Sequence, residues 1–247
     1  MPRDPHRDQP ILTGGAPLAE ATGALVLLHG RGGSAQDMIA LARDLSSPPD
    51  PLSATRRGGT TAGPSSPSPE EPAPSVARGR GGQGVRTAWL VPEAAGRLWY
   101  PFSLLEKVER NRPALNSALA LVKRVMERIA AAQLPPERVV LLGFSQGASV
   151  VLEFAARNAR RYGGLVALSG ALLGPEGTPR DYEGSLAGTP LFLGCGDSDP
   201  HLPKRRVDET AAVFTRLGAT VTQRVYPGLG HAMNAEEMDV ARKMIAM

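Results

Sequence analysis

Apolar residues in this chain fall into short unbroken runs, and between the runs hydrophobic positions recur at helical spacing. Ala24-Leu25-Val26-Leu27-Leu28 is the first run and opens into His29-Gly30-Arg31-Gly32-Gly33, which predicts a buried strand feeding a glycine loop. Ser34 then stands as a helix cap, with Met38, Ile39, Leu41, Ala42 and Leu45 on one face. A second strand is expected over 87–92. Pro113 reads as part of the first turn of a long helix to about Ala132, whose stripe includes Leu115, Leu119, Val122, Val125, Met126 and Ile129. Val139-Val140-Leu141-Leu142 runs into Gly143-Phe144-Ser145-Gln146-Gly147 and a helix-compatible Ala148-Ser149-Val150-Val151-Leu152. Further strands are expected at 164–169, 190–194 and 220–225, with helices over about 204–217 and from about Asn234 onward. Strands that are apolar throughout must be buried on both faces. Alternating with helices, they predict an α/β protein with a mostly parallel sheet.

One stretch breaks the pattern. From Ser46 to about Gly84 the chain holds Pro48, Pro49, Pro51, Pro64, Pro67, Pro69, Pro72 and Pro74 among Ser, Thr, Gly and Arg, with almost nothing large and apolar. Such a segment cannot offset its ordering entropy, so a disordered insertion at about 46–84 within a single domain spanning 1–247 is expected.

With 247 residues, 42% of them hydrophobic, the chain can bury one substantial core. No apolar stretch approaches the roughly 18 residues that cross a bilayer, and Met1 to Gln9 is polar, so a soluble, cytoplasmic protein without stable membrane insertion is expected. Cys195, the single cysteine, excludes an internal disulfide and reads as a small buried apolar residue at a strand end. The net charge of +4 raises the question of nucleic acid. Its basic residues are scattered pairs, such as Arg56-Arg57 and Arg205-Arg206, and aromatics make up only 4%, too few for base-stacking platforms; no nucleic-acid partner is expected.

Chemistry concentrates around Ser145. The spacing G-x-S-x-G between an apolar run and a helix start is that of a nucleophile elbow, where a sharp strand-to-helix turn holds a serine hydroxyl above the sheet. The alternative is a glycine-rich turn with an inert serine. A serine hydroxyl is a poor nucleophile at neutral pH and needs a base, itself oriented by a third group. His231 lies in the glycine loop Gly228-Leu229-Gly230-His231, past the last expected strand, and Gly196-Asp197-Ser198-Asp199-Pro200 follows the strand before it, so acid and base come in the order an α/β hydrolase requires. Asp199, preceding proline, is biased toward extended backbone; Asp197 lies nearer the strand and can support the turn. Both stay open on these grounds. Oxyanion donors in such an architecture are backbone amides after the nucleophile, here Gln146, and in the loop after the first strand, here Arg31, whose side chain is left free to face solvent or substrate. A phosphate cradle in that loop is disfavoured because it has neither the full dinucleotide glycine spacing nor a P-loop ending.

The segments L-L-H-G-R-G-G-S-A-Q-D-M, A-A-G-R-L-W-Y-P-F-S, G-F-S-Q-G-A, G-D-S-D-P-H-L-P and G-L-G-H, taken in order, resemble the bacterial phospholipase/carboxylesterase family, which also holds the acyl-protein thioesterases. The resemblance implies an α/β-hydrolase fold with little or no cap domain. It further implies a serine carboxylesterase acting on small-molecule esters of modest size through an acyl-enzyme, with no metal or organic cofactor. It gives the acid's role to Asp199, leaves Asp197 as turn support, and places the oxyanion donors on Arg31 and Gln146. The insertion is longer than the family's short connection, and the loop between Gly170 and Gly188 is short and polar, with nothing that forms a lid or long acyl tunnel. Trp99, Tyr100 and Phe102 are candidates for the pocket walls, with a plain core role as the alternative. An acyl-thioesterase or lysophospholipase with the same triad is the second reading. A non-catalytic ligand-binding scaffold is the third, disfavoured because no triad member is missing. The oligomeric state stays open, a homodimer included.

Overall fold

The computed structural model describes residues 4–46 and 86–246. The proline-rich segment expected to be disordered therefore lies, beyond Ser46, outside the described residues. Seven strands form one sheet: β1 (Ile11–Gly15), β2 (Gly23–Leu28), β3 (Thr87–Pro92), β4 (Val139–Phe144), β5 (Gly164–Leu168), β6 (Pro190–Gly196) and β7 (Thr220–Tyr226). Their spatial order is β1-β3-β2-β4-β5-β6-β7, with every pairing parallel except β1 against β3. The helices are α1 (Ala35–Ser46), α2 (Val108–Ala131), α3 (Gln146–Arg157), α4 (Lys204–Arg216) and α5 (Ala235–Ile245). Cores on the two sheet faces explain the unbroken apolar runs. In β2, Ala24, Val26 and Leu28 pack with α2, α3 and α4, while Leu25 and Leu27 face α1 and α5. The serine-bearing strand β4 lies at the centre, and its C-terminal end opens beside those of β2, β5, β6 and β7. That rim is where ligands bind in open α/β sheets.

Two expectations need correction. The edge strand β1 has no counterpart in the apolar pattern, because Ile11-Leu12 is followed by Thr13, Gly14 and Gly15; Gly14 lies flat against the Trp89 ring, where a Cβ would come within 2.7 Å of Cε3. Pro113 does not sit in the first helical turn. The helix α2 begins at Val108, and Pro113 lies inside it, leaving the Glu109 carbonyl without its helical partner near an exposed end. That earlier start is stabilised by Asn111, buried, whose side-chain amide accepts from the Phe102 N–H (3.0 Å) and donates to the Ser103 carbonyl (3.0 Å). Among the described residues no helix is long and apolar enough to cross a membrane.

Candidate active site

At the end of β4 the chain reverses into α3 through Ser145, whose backbone sits at φ 55°, ψ −118°, a conformation L-residues rarely adopt. The turn is held by the Ser145 N–H donating to the Leu168 carbonyl (2.8 Å) and the Ser145 carbonyl accepting from the Ser149 N–H (3.1 Å). It requires glycine on both sides. A Cβ on Gly147 would overlap the Leu28 carbonyl oxygen, and one on Gly143 would overlap the backbone of Gly147. Although Ser145 stands at the helix N-cap, its hydroxyl makes no capping bond. The hydroxyl is therefore not used to cap α3.

The hydroxyl instead meets His231. Ser145 Oγ lies 2.8 Å from His231 Nε2, and His231 Nδ1 lies 2.7 Å from Asp199 Oδ2. A carboxylate at Nδ1 accepts the Nδ1–H, so the neutral imidazole presents Nε2 as acceptor to the serine hydroxyl. The imidazole is held edge-on by His201 (centroids 5.1 Å) and tilted against Phe144 (5.1 Å). The Asp199 side chain is 0% exposed, and its second oxygen accepts the backbone N–H groups of His201 (2.8 Å) and Leu202 (3.2 Å). Both oxygens of this buried carboxyl group are thereby hydrogen-bonded. Asp197 plays a different part: it is exposed and accepts from the Ser198 hydroxyl and the Gly228 N–H, tying the loop after β6 to the loop after β7. Ser198 N–H to the Leu229 carbonyl (3.2 Å) adds a second tie, and a Cβ on Gly196 would overlap that same carbonyl. Asp199 and His231 are thus carried on two interlocked loops. The capping box of Asn234 and Glu237 then starts α5 just beyond His231.

Gln146 and Arg31 flank the serine. Gln146 opens α3, so its amide has no carbonyl one turn back, and Arg31 donates its amide to no backbone carbonyl among the described residues. Their side chains are engaged elsewhere. The Gln146 side chain accepts from the Trp99 N–H (3.1 Å) and donates to the Tyr100 carbonyl (2.8 Å). Arg31, expected to be free, donates to the carbonyls of Pro101 (3.1 Å), Phe102 (3.2 Å) and Tyr100 (3.4 Å). Together with Asn111 these side chains hold residues 99–103 as a fixed wall.

Residues 100–103 of that wall line a cleft of about 520 Å³, with Phe144, Ser145, Gln146, Ser169, His201, Leu202 and His231 also in its lining. Of the three aromatics, Tyr100 and Phe102 line the cleft, Phe102 being 38% exposed under the Arg110 guanidinium, 4.0 Å from its ring. Trp99 does not. It is 0% exposed, donates from Nε1 to the His29 carbonyl (2.8 Å), and lies between the rings of His6 and His29 (5.5 and 5.1 Å), supporting the wall from beneath. Sequence reasoning missed His201, Leu202 and Ser169 as lining residues. The available signal was positional: Ser169 follows the end of β5 as Ser145 follows the end of β4. Among the described residues no three His, Cys, Asp or Glu side chains gather to hold a metal.

Sheet order, the strained turn at Ser145 and the paired loops after β6 and β7 define an α/β-hydrolase fold. Residues 90–247 match the family model described as phospholipase/carboxylesterase. The chain belongs to that family. Among solved structures it is similar to a phospholipase/carboxylesterase from Dyadobacter fermentans, at 35% identity and a TM-score of 0.78, covering 97% of each chain. The likeness to esterase PE8, at 21% identity, a TM-score of 0.65 and 96% of each chain, speaks for the fold alone. It is 32% identical to acyl-protein thioesterase 1 of Debaryomyces hansenii over 130 residues, 52% of this chain and 56% of that protein. The chain spans about half the length of the curated relatives it matches.

Proposed function

We propose that the protein is a serine carboxylesterase that hydrolyses small carboxylic esters through an acyl-enzyme. One observation carries the reading: an unbroken relay from Ser145 Oγ through His231 to the buried Asp199, opening into a cleft. In this reading His231 Nε2 takes the Ser145 proton as Oγ attacks the ester carbonyl, and returns it to the departing alcohol. The imidazolium that forms is stabilised by Asp199, and the amides of Arg31 and Gln146 receive the oxyanion. A water then repeats the sequence on the acyl-enzyme. The cleft's size, about 520 Å³, suits a small organic ligand. Hydrolysis of p-nitrophenyl acetate and butyrate by wild type and Ser145→Ala tests the reading. We expect kcat to fall at least about 10³-fold in the variant with its fold intact; equal turnover would remove Ser145 from the chemistry.

A second reading, hydrolysis of acyl thioesters by the same relay, is favoured by the likeness to the protein named acyl-protein thioesterase 1. Matched oxygen esters and thioesters of increasing acyl length separate the two. A kcat/KM that favours thioesters and rises steeply with chain length supports the second.

A further inference from the structure

Ser169 lies at the edge of the cleft, just past the end of β5. It is 1% exposed, its backbone is at φ 51°, and its Oγ has no hydrogen-bond partner among the described residues although it borders the cleft. A buried hydroxyl left unpaired is costly, and a strained backbone at a cleft residue marks a position held for a purpose other than packing. The surrounding bonds fix the backbone that carries that hydroxyl. Its own N–H donates to the Gly194 carbonyl of β6 (2.8 Å), the adjacent Leu168 carbonyl accepts from Ser145 N–H (2.8 Å), and a Cβ on Gly170 would come within 2.9 Å of the Ser145 carbonyl oxygen. In the sheet, β5 lies between β4, which carries Ser145, and β6, whose loop carries Asp199. His231 therefore reaches Ser145 across the end of β5, whereas the amides of Arg31 and Gln146 stand on the β2 and α3 side.

We propose that Ser169 Oγ hydrogen-bonds the oxygen that exchanges its proton with His231, and so positions the water that deacylates the enzyme. This rests on the Ser145-His231-Asp199 reading. In that step the water oxygen bonds to the acyl carbon while one of its protons passes to His231 Nε2. The bond from the acyl carbon to Ser145 Oγ then breaks, Oγ recovers the proton from His231, and a free acid leaves. Acylation by a p-nitrophenyl ester needs this contact less, because p-nitrophenolate departs without a proton. The two half-reactions therefore respond differently to loss of the Ser169 hydroxyl.

The test uses p-nitrophenyl dimethylcarbamate, whose carbamoyl-enzyme persists long enough to isolate. Wild type, Ser169→Ala and Ser169→Gly are carbamoylated, freed of reagent, and followed as the carbamoyl mass is lost and activity returns; glycine removes the hydroxyl while relieving the positive φ, so that variant folds without strain. We expect recovery to slow about fivefold to tenfold in both variants, the loss of one neutral hydrogen bond, with the carbamoylation rate within about twofold of wild type. Recovery at the wild-type rate, both steps slowing together, or slowing in the alanine but not the glycine variant would each overturn the proposal. Failure of the function itself reads out separately: wild type would not be carbamoylated at Ser145, before any Ser169 variant is made.

Discussion

Ser145 is held where a serine would not rest by itself, and glycines at 143 and 147 are the means. A Cβ at Gly147 meets backbone rather than a flexible side chain, since the carbonyls of both Leu28 and His29 stand in its place. We expect Gly147→Ala to destabilise by at least about 2 kcal/mol in urea unfolding, because the helix and β2 must separate to admit a methyl group. A smaller change would mean that α3 shifts freely against the sheet. Cys195 illustrates the opposite case, a residue of reactive type made inert. Burial, with smaller contributions from Asp199 and Glu237, pushes its thiol up to about 11. At pH 8 roughly a thousandth is thiolate, so Ellman's reagent should react with the folded protein only at the rate of unfolding. Prompt titration of one thiol would contradict this.

At the scale of elements, the segment before β1 is docked by His6. Its N–H donates to Ser117 Oγ on α2 (2.8 Å), Nδ1 accepts the Ala95 N–H (3.0 Å), and Nε2 meets the Trp99 carbonyl (3.1 Å). The ring is therefore neutral with its proton on Nε2, and a second proton would set N–H against N–H. Burial, opposed by the Trp99 carbonyl, holds its pKa below the ordinary 6.5. A folded-state pKa below the unfolded one gives stability that is present above about pH 6.5 and lost as pH falls, by at most about 1.4 kcal/mol per pH unit for one proton. We expect the urea midpoint to drop between pH 7.5 and 5.5, and His6→Gln to flatten that drop. An unchanged pH dependence in the variant would exclude His6 as its source. The strands from β2 to β6 were legible because each is apolar over its whole length, which only a strand covered on both faces requires. The β1 strand was not, since its pairing at the edge is set by what Trp89 leaves open and by no periodicity of its own. Nor was the true start of α2, fixed by the side chain of Asn111 reaching back to the 102–103 loop.

Across the whole molecule, the parallel sheet makes three distant segments neighbours by bringing the ends of β2, β4, β5, β6 and β7 to one rim. Spacing and order in the sequence pointed to Ser145 and His231, the family resemblance added Asp199, and the structure brings the three within hydrogen-bond reach. The choice between Asp197 and Asp199 was open on the residues alone because both lie within three residues of the end of β6; what separates them is that one is buried against His231 and the other ties two loops. The remaining cleft residues depend on how loops fold over one another. Trp99 and Tyr100 are adjacent and both aromatic, yet only the second lines the cleft. The proposed chemistry requires His231 to activate Ser145, and labelling with a fluorophosphonate followed by mass spectrometry tests that most directly. We expect one adduct per chain, on the peptide containing Ser145, and a labelling rate at least about 10³-fold lower in folded His231→Ala. An adduct on another residue, or equal labelling of wild type and variant, would contradict it.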